Sequence, residues 1–424
     1  MIVNTRRKLH DAWAFFLYLS VTIMVFGIII VMRPQNPLQA TDKSLLQINF
    51  LAALGTLVCA VLINLLMFRF APTFFLHLGF IFSICFCFIL PFFVQTVWSF
   101  ITGFILGFIS IYLYYSLFKY FKFTGKVLKG AAQIIDKYLL TLMPVLFIIT
   151  SIIGAVFYIL YPVIADLEDK KRLLNILLFF EFSWTTFNGL YFFIVFSASI
   201  VSIHLFNKGY KVGTFSSAIK NSAFCIGSIC LGGLLLAVVN TLRYIVESGQ
   251  ERRQRNNEER NIFFEILIAI LAFILRILED IIHYANEWLF VYMAIHGKNY
   301  MDSLKESFRM ATDTKNMLLI NNIIVDQMLS MISFFYLLVY LTISYLISAE
   351  KIKASLNNLY PMVLAIVFPL FFLLFFLSCF LSLVSAAVKT IMFVFAEEKQ
   401  CVKEVLPEVY EGFYEITQKN YGED

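Results

Sequence analysis

The chain has 424 residues, of which 60% are apolar and 14% charged, with a formal net charge of +5 and a mean hydropathy of +0.82. Soluble chains carry roughly 25% charged residues, so the composition excludes a water-soluble protein, and the small, scattered positive charge excludes a nucleic-acid partner. Long apolar runs satisfy their backbone groups in hydrocarbon only as helices, and the alternation of a membrane β-barrel is absent. The fold class expected is all-α and polytopic.

A bilayer core about 30 Å thick takes roughly 20 apolar residues per helix. Runs of that kind lie near 13–32, 47–68, 74–94, 97–118, 138–161, 174–205, 215–245, 262–282, 317–347 and 359–395, which gives about ten spans in one membrane-embedded unit, 1–424. The first run follows Arg6, Arg7 and Lys8, but it is too long for a signal peptide and no small-residue cleavage site follows it. It reads as a retained anchor. With the N-terminus placed inside, 19 Lys and Arg fall in inner loops and tails against 11 in outer loops, so the positive-inside rule puts both termini in the cytoplasm. Two inner stretches look like short amphipathic connectors: 119–137, with Lys119, Lys122, Lys126, Lys129 and Lys137, and 302–316. Each reads either as a segment resting on anionic lipid or as an ordinary loop helix.

A charge at the bilayer centre costs at least about 2.5–3.5 kcal/mol, so each polar residue within a span needs a reason. In the sixth span Glu181, Trp184 and Asn188 fall at i, i+3 and i+7 on one face. A carboxylate beside an indole suits an organic cation, and with Asn240 of the next span these residues form the expected substrate pocket. The plainer alternative is an interhelical hydrogen bond and a packed tryptophan. Asp326, one turn after Asn322, and Lys389 in the last span lie at similar depth and are expected to neutralise each other, as a structural pair or as a gating or coupling pair. Arg276, Glu279 and Asp280 are expected to form a local salt-bridge set at the inner interface, while Arg243 lies toward the outer end of its span. Ala223 with Gly227, Ser228 with Gly232, and Gly103 with Gly107 are small residues four apart. They read as packing seams where another helix approaches closely.

Chemistry-bearing motifs are missing. The seven cysteines suggest no disulfide framework, six of them lying inside apolar runs. There is no G-x-x-x-x-G-K-[ST], no H-E-x-x-H and no G-x-S-x-G. The five histidines have no ligand-spaced partner. No metal or cofactor is implied, and an enzyme is not expected.

Three segments carry a resemblance: FCIGSICLGGLLLAVVNTLRYI, ILRILEDIIHYANEWLFVYMAIHGKNYMDSLKESF and AAVKTIMFVFAEEKQ. In order and spacing they resemble the choline transporter-like family, fungal branch included, over roughly 180–400. The resemblance implies a plasma-membrane carrier of choline or a related small organic cation, working by alternating access with or without proton coupling, with the lipid bilayer as its other partner. A channel or lipid scramblase is the alternative, and a membrane-bound lipid enzyme a weaker one. The chain departs from the family pattern at Lys389, where an Asp is usual, and at Ala396, Glu397 and Glu398, where the exit is usually Cys-Glu-Asp. The first outer loop, 33–46, is short, and no N-x-[ST] sequon lies in an outer loop.

Overall fold

The computed structural model describes residues 8–32, 43–166, 172–209, 213–255, 262–313, 317–354 and 359–421. The first outer loop over 33–42, Arg6, Arg7 and residues 256–261 of the mixed-charge stretch lie outside the described residues. Within them the elements are α1 Ala12–Met32, α2 Lys43–Phe70, α3 Pro72–Val94, α4 Val97–Leu117, a 3-10 turn Phe118–Tyr120, α5 Phe121–Asp166, α6 Arg172–Phe206, α7 Thr214–Phe224, α8 Ile226–Arg255, α9 Ile262–His296, α10 Tyr300–Asp313, α11 Met317–Ala354, α12 Leu359–Glu397, α13 Lys399–Val405 and α14 Pro407–Tyr421. The protein is all-α and polytopic.

Among the described residues eight segments are long and apolar enough to cross a membrane. One of them, 97–160, contains two of the expected spans. The expected span 262–282 lies in α9, outside those eight, because Glu265, Arg276, Glu279 and Asp280 interrupt its apolar character. Across its most apolar stretch α6 is 78% buried and α12 56%, against 17% for α1 and for α3, so α6 and α12 form the centre. Helices α5, α7, α8, α9 and α12 all pack on α6. Lipid tails are as apolar as leucine, so packing and interhelical hydrogen bonds hold such a bundle together rather than apolar burial.

Local chemistry sets the turns. Gln95 closes α3 in a left-handed conformation with φ 53°. Thr96 then caps α4, its hydroxyl accepting from the Ser99 amide at 3.2 Å while Ser99 Oγ accepts from the Thr96 amide, a reciprocal box that satisfies two orphan donors. The hairpin packs tightly, because a Cβ at Gly107 would meet the Phe88 ring and one at Gly103 would meet Pro91 and the Cys87 carbonyl. That seam joins α3 and α4 as its spacing suggests.

Three expected elements have other boundaries. The run 215–245 is two helices, broken at Cys225, whose amide turns back to the carbonyls of Asn221 and Ser222. The basic stretch 119–137 is no separate connector: from Phe121 onward it is the first part of the 46-residue α5. Its basic side chains meet α14. Lys129 donates to Glu408 at 2.8 Å, Lys126 to Glu415 at 3.4 Å, and Phe123 packs edge-on against Phe413. The Lys126 hydrogen bond, with the charges of Lys126 and Lys122, holds the Glu415 carboxyl below its usual range. This contact is therefore present at neutral pH and weakens as the carboxylate protonates in acid. The third change is α9, which continues past residue 282 to His296.

Gly107→Leu is expected to lower stability by about 1–3 kcal/mol through overpacking. Gly27→Ala, with nothing within 4 Å of the new Cβ, is expected to be neutral or stabilising by up to about 1 kcal/mol. Thermal unfolding of the two purified variants in detergent measures the contrast.

Candidate functional site

The four residues expected to form a pocket face different neighbours. Glu181 is 1% exposed. Its Oε1 accepts from Thr22 of α1 at 2.6 Å and from Thr185 at 3.2 Å, while Oε2 has no partner among the described residues. Trp184 is fully covered, with Tyr18 edge-on at 5.2 Å and its indole N–H donated to the Cys230 carbonyl at 2.9 Å. Asn188 occupies the space left by Gly233, where a Cβ would overlap Asn188 Oδ1. Asn240 meets α6 elsewhere, donating to Ser183 at 3.2 Å and accepting from Arg243 at 3.0 Å. Ser183 lies off the stripe of Glu181 and Asn188, so Asn240 does not join them. None of the four lines the cavity between α6, α8, α9, α11 and α12.

That cavity measures about 560 Å³, within the roughly 300–1,000 Å³ of small-molecule sites. Three helices each give it one polar stripe. From α9 come Asp280, His283, Tyr284 and Glu287; from α11, Asp326, Ser330 and Ser333; from α12, Ser378, Ser382 and Ser385. The spacings are i, i+3 or i+4, and i+7, so each set shares one helical face. Phe187 of α6 and Leu236 of α8 supply apolar walls.

The charges in and around the cavity are partly paired. Lys389 is 2% exposed and donates to Glu287 at 2.5 Å, with its ammonium 5.8 Å from the Trp288 ring centre. The partner expected from the sequence was Asp326, but the direct partner is Glu287. Asp326 instead accepts from Asn322 at 2.6 Å and from Ser385 at 2.9 Å, and Lys389 acts on it through space. Glu279, expected in a local set at the inner interface, pairs with Arg243 of α8 at 2.5 Å, which places both at one level. Exposure falls along α9 from Asp280, which faces solvent, to Asn286, which is fully buried.

Below the cavity the bundle is closed by hydrogen bonds. His283 bonds Tyr191 OH at 3.0 Å, and the Asn286 amide donates to Tyr191 OH and to the Gly232 carbonyl, each at 3.2 Å. Tyr300 OH donates to Asn286 at 2.7 Å. One layer further, the Asp11 carboxylate accepts from Ser228 Oγ at 2.6 Å and from the Tyr300 amide at 3.0 Å. These donors sit at the starts of α8 and α10, where the helix dipole favours an anion. The seam Gly227, Ser228, Gly232 therefore does not receive one long helix. Gly227 lies against the backbone of His10 and Asp11, and Gly232 against Phe290 and Tyr300.

The acidic, serine-lined stripes bring carboxylates, hydroxyls and Tyr284 to one cavity, a chemistry suited to a small cation. Sequence reading missed Glu287 and the serines. The signal was present in the repeated i, i+4, i+7 spacing, but Glu287 fell beyond the residue at which the span was ended.

Comparisons with known proteins address the family of the chain. The family described as plasma-membrane choline transporter matches residues 101–400. A CTL-like protein of Dictyostelium discoideum is 33% identical over 109 residues, 26% of this chain and 18% of that protein. The protein PNS1 of Kluyveromyces lactis is 26% identical over 156 residues, 36% of this chain and 28% of that protein. PNS1 of Debaryomyces hansenii is 22% identical over 219 residues, 50% of this chain and 41% of that protein. The matched stretches thus span less than half the length of each of these relatives.

Glu287→Gln alone leaves the Lys389 ammonium buried without its partner and is expected to cost about 3–5 kcal/mol. Adding Lys389→Met is expected to recover most of that loss. Thermal unfolding of the two variants beside the parent protein checks the pairing.

Proposed function

This chain belongs to the plasma-membrane choline transporter family, and on that premise we propose that it carries choline or a related small organic cation across a membrane by alternating access. The observation that carries the reading is the cavity in which Asp326 presents a carboxylate beside Tyr284 with only neutral donors bonded to it. A quaternary ammonium is held by charge attraction to the carboxylate and by the face of an aromatic ring. The packed layer of Tyr191, Asn286, Phe290 and Tyr300 on one side of the cavity supports a carrier with one side closed over an open pore or lipid groove.

Asp326 and Lys389 remain the proposed gating or coupling residues, now with Glu287 between α9 and α12. Moving α11 against α12 parts Asp326 from Ser385, and this is the step at which substrate, or a proton, exchanges for the existing contacts. Residence in the plasma membrane, with both termini cytoplasmic, completes the proposal.

The test is radiolabelled choline uptake into proteoliposomes, with and without a pH gradient. Saturable uptake is expected, reduced at least about tenfold by Asp326→Asn through loss of a close charge pair and retained by Glu181→Gln. A pH effect would add proton coupling. Flux that does not saturate would overturn the carrier in favour of a channel. Loss of uptake with Glu181→Gln but not with Asp326→Asn would move the site to the α1–α6 face.

A further inference from the structure

The charge count inside the cavity is uneven in an informative way. Glu279 is paired with Arg243, and Glu287 with Lys389. Asp280 also lines the cavity and is exposed. Among the described residues no Lys or Arg forms an ion pair directly with Asp326. Its bonded neighbours are the Asn322 amide and the Ser385 hydroxyl, dipoles that stabilise a carboxylate without cancelling it. The remaining titratable groups facing this region are Tyr284 on α9, and His283, which bonds Tyr191 and lies 3.4 Å from Glu287. Asp326 is thus the half-buried carboxylate of this cavity that has no cation bonded directly to it, Lys389 acting on it only through space.

From this geometry we infer that Lys389 sets the charge that the cavity accepts: it occupies Glu287 as a tethered ammonium, so the site admits a cation with one positive charge and disfavours one with two. The inference rests on the cation-carrier reading and adds the class of cation admitted. A monocation beside Asp326 gives that carboxylate a direct cationic partner. The second ammonium of a diamine reaching inward from Asp326 to Glu287 would enter where Lys389 already holds that carboxylate, and like charges at such close range repel. Lys389 can act this way because it is enclosed. At 2% exposure and 2.5 Å from its partner, its charge is little screened by water. It does not need to touch the substrate, so it is a specificity-determining residue rather than a binding one.

The experiment is equilibrium binding of choline and of the diamine putrescine to the purified full chain at about pH 8. The parent protein is expected to bind choline at least about tenfold more tightly than putrescine. Lys389→Met frees Glu287 for a second ammonium and is expected to shift the ratio toward putrescine by at least about tenfold, the scale of one close charge pair. Ser382→Asp adds a carboxylate to the cavity without removing either member of the ion pair. It is expected to give a shift of the same sign, and it keeps the test open if the lysine variant fails to fold. The double variant Lys389→Met with Glu287→Gln removes the freed carboxylate together with the lysine and is expected to restore the parent's order of preference. An unchanged ratio in Ser382→Asp and in any folded Lys389→Met protein would overturn the inference while leaving the carrier reading standing. A parent protein that binds neither ligand would overturn both.

Discussion

Lys389 brings an ammonium to a point on α12 that water barely reaches, and a charge in such a place costs several kcal/mol unless it is paired. Glu287 of α9 meets it at 2.5 Å. Much of the site's geometry follows from that requirement. The pair fixes the register of α9 against α12, and the Ser385–Asp326 bond ties α11 to the same level of α12. Once three helices are set at one height, their i, i+4, i+7 stripes face inward together, and the serines and carboxylates line one space. An apolar pair at the same positions would pack as well, and buried ion pairs seldom add stability over apolar replacements. Retaining the pair makes sense where a charged site is needed.

The bundle closes that space on one side by small-residue clearance and hydrogen bonding. Gly232 and Gly233 let α8 come close to Phe290, Tyr300 and Asn188, an approach that side chains larger than hydrogen would block. The polar atoms brought together there are largely paired: Glu287 with His283, His283 with Tyr191, Tyr191 with Asn286, and Asn286 with Tyr300. Beyond Tyr300, Asp11 binds the starts of two helices at once. A layer with this many mutual partners holds its arrangement until several bonds break together, which suits a two-state closure better than a graded one.

Much of the fold was legible in the sequence because hydrocarbon leaves helices as the only choice for long apolar runs. The site was less legible, and particular residues show why. Trp184 beside Glu181 drew attention because an aromatic ring and a carboxylate shared a face. Helical spacing tells which residues share a face but not what that face meets, and here it meets Tyr18, Thr22 and the Cys230 carbonyl. In the sequence Lys389 stands as a buried charge that needs a partner and Asp326 as the acid at similar depth, while Glu287 lies beyond residue 282, where the expected span ends. Helix α9 runs on because WLFVYMAIH, after Glu287, is apolar enough to bury. A span drawn around the charges at 276–280 hid that continuation. The serines of α11 and α12 gave weak signals singly, since isolated serines are ordinary at helix–helix seams.

The central claim is that a small cation sits beside Asp326, in the space between α9, α11 and α12. An experimental structure of the purified protein saturated with choline tests it most directly. The account predicts ligand density within contact of Asp326 and Tyr284, with the Lys389–Glu287 pair intact. Density between α1 and α6 beside Glu181, with an empty cavity at Asp326, would contradict it.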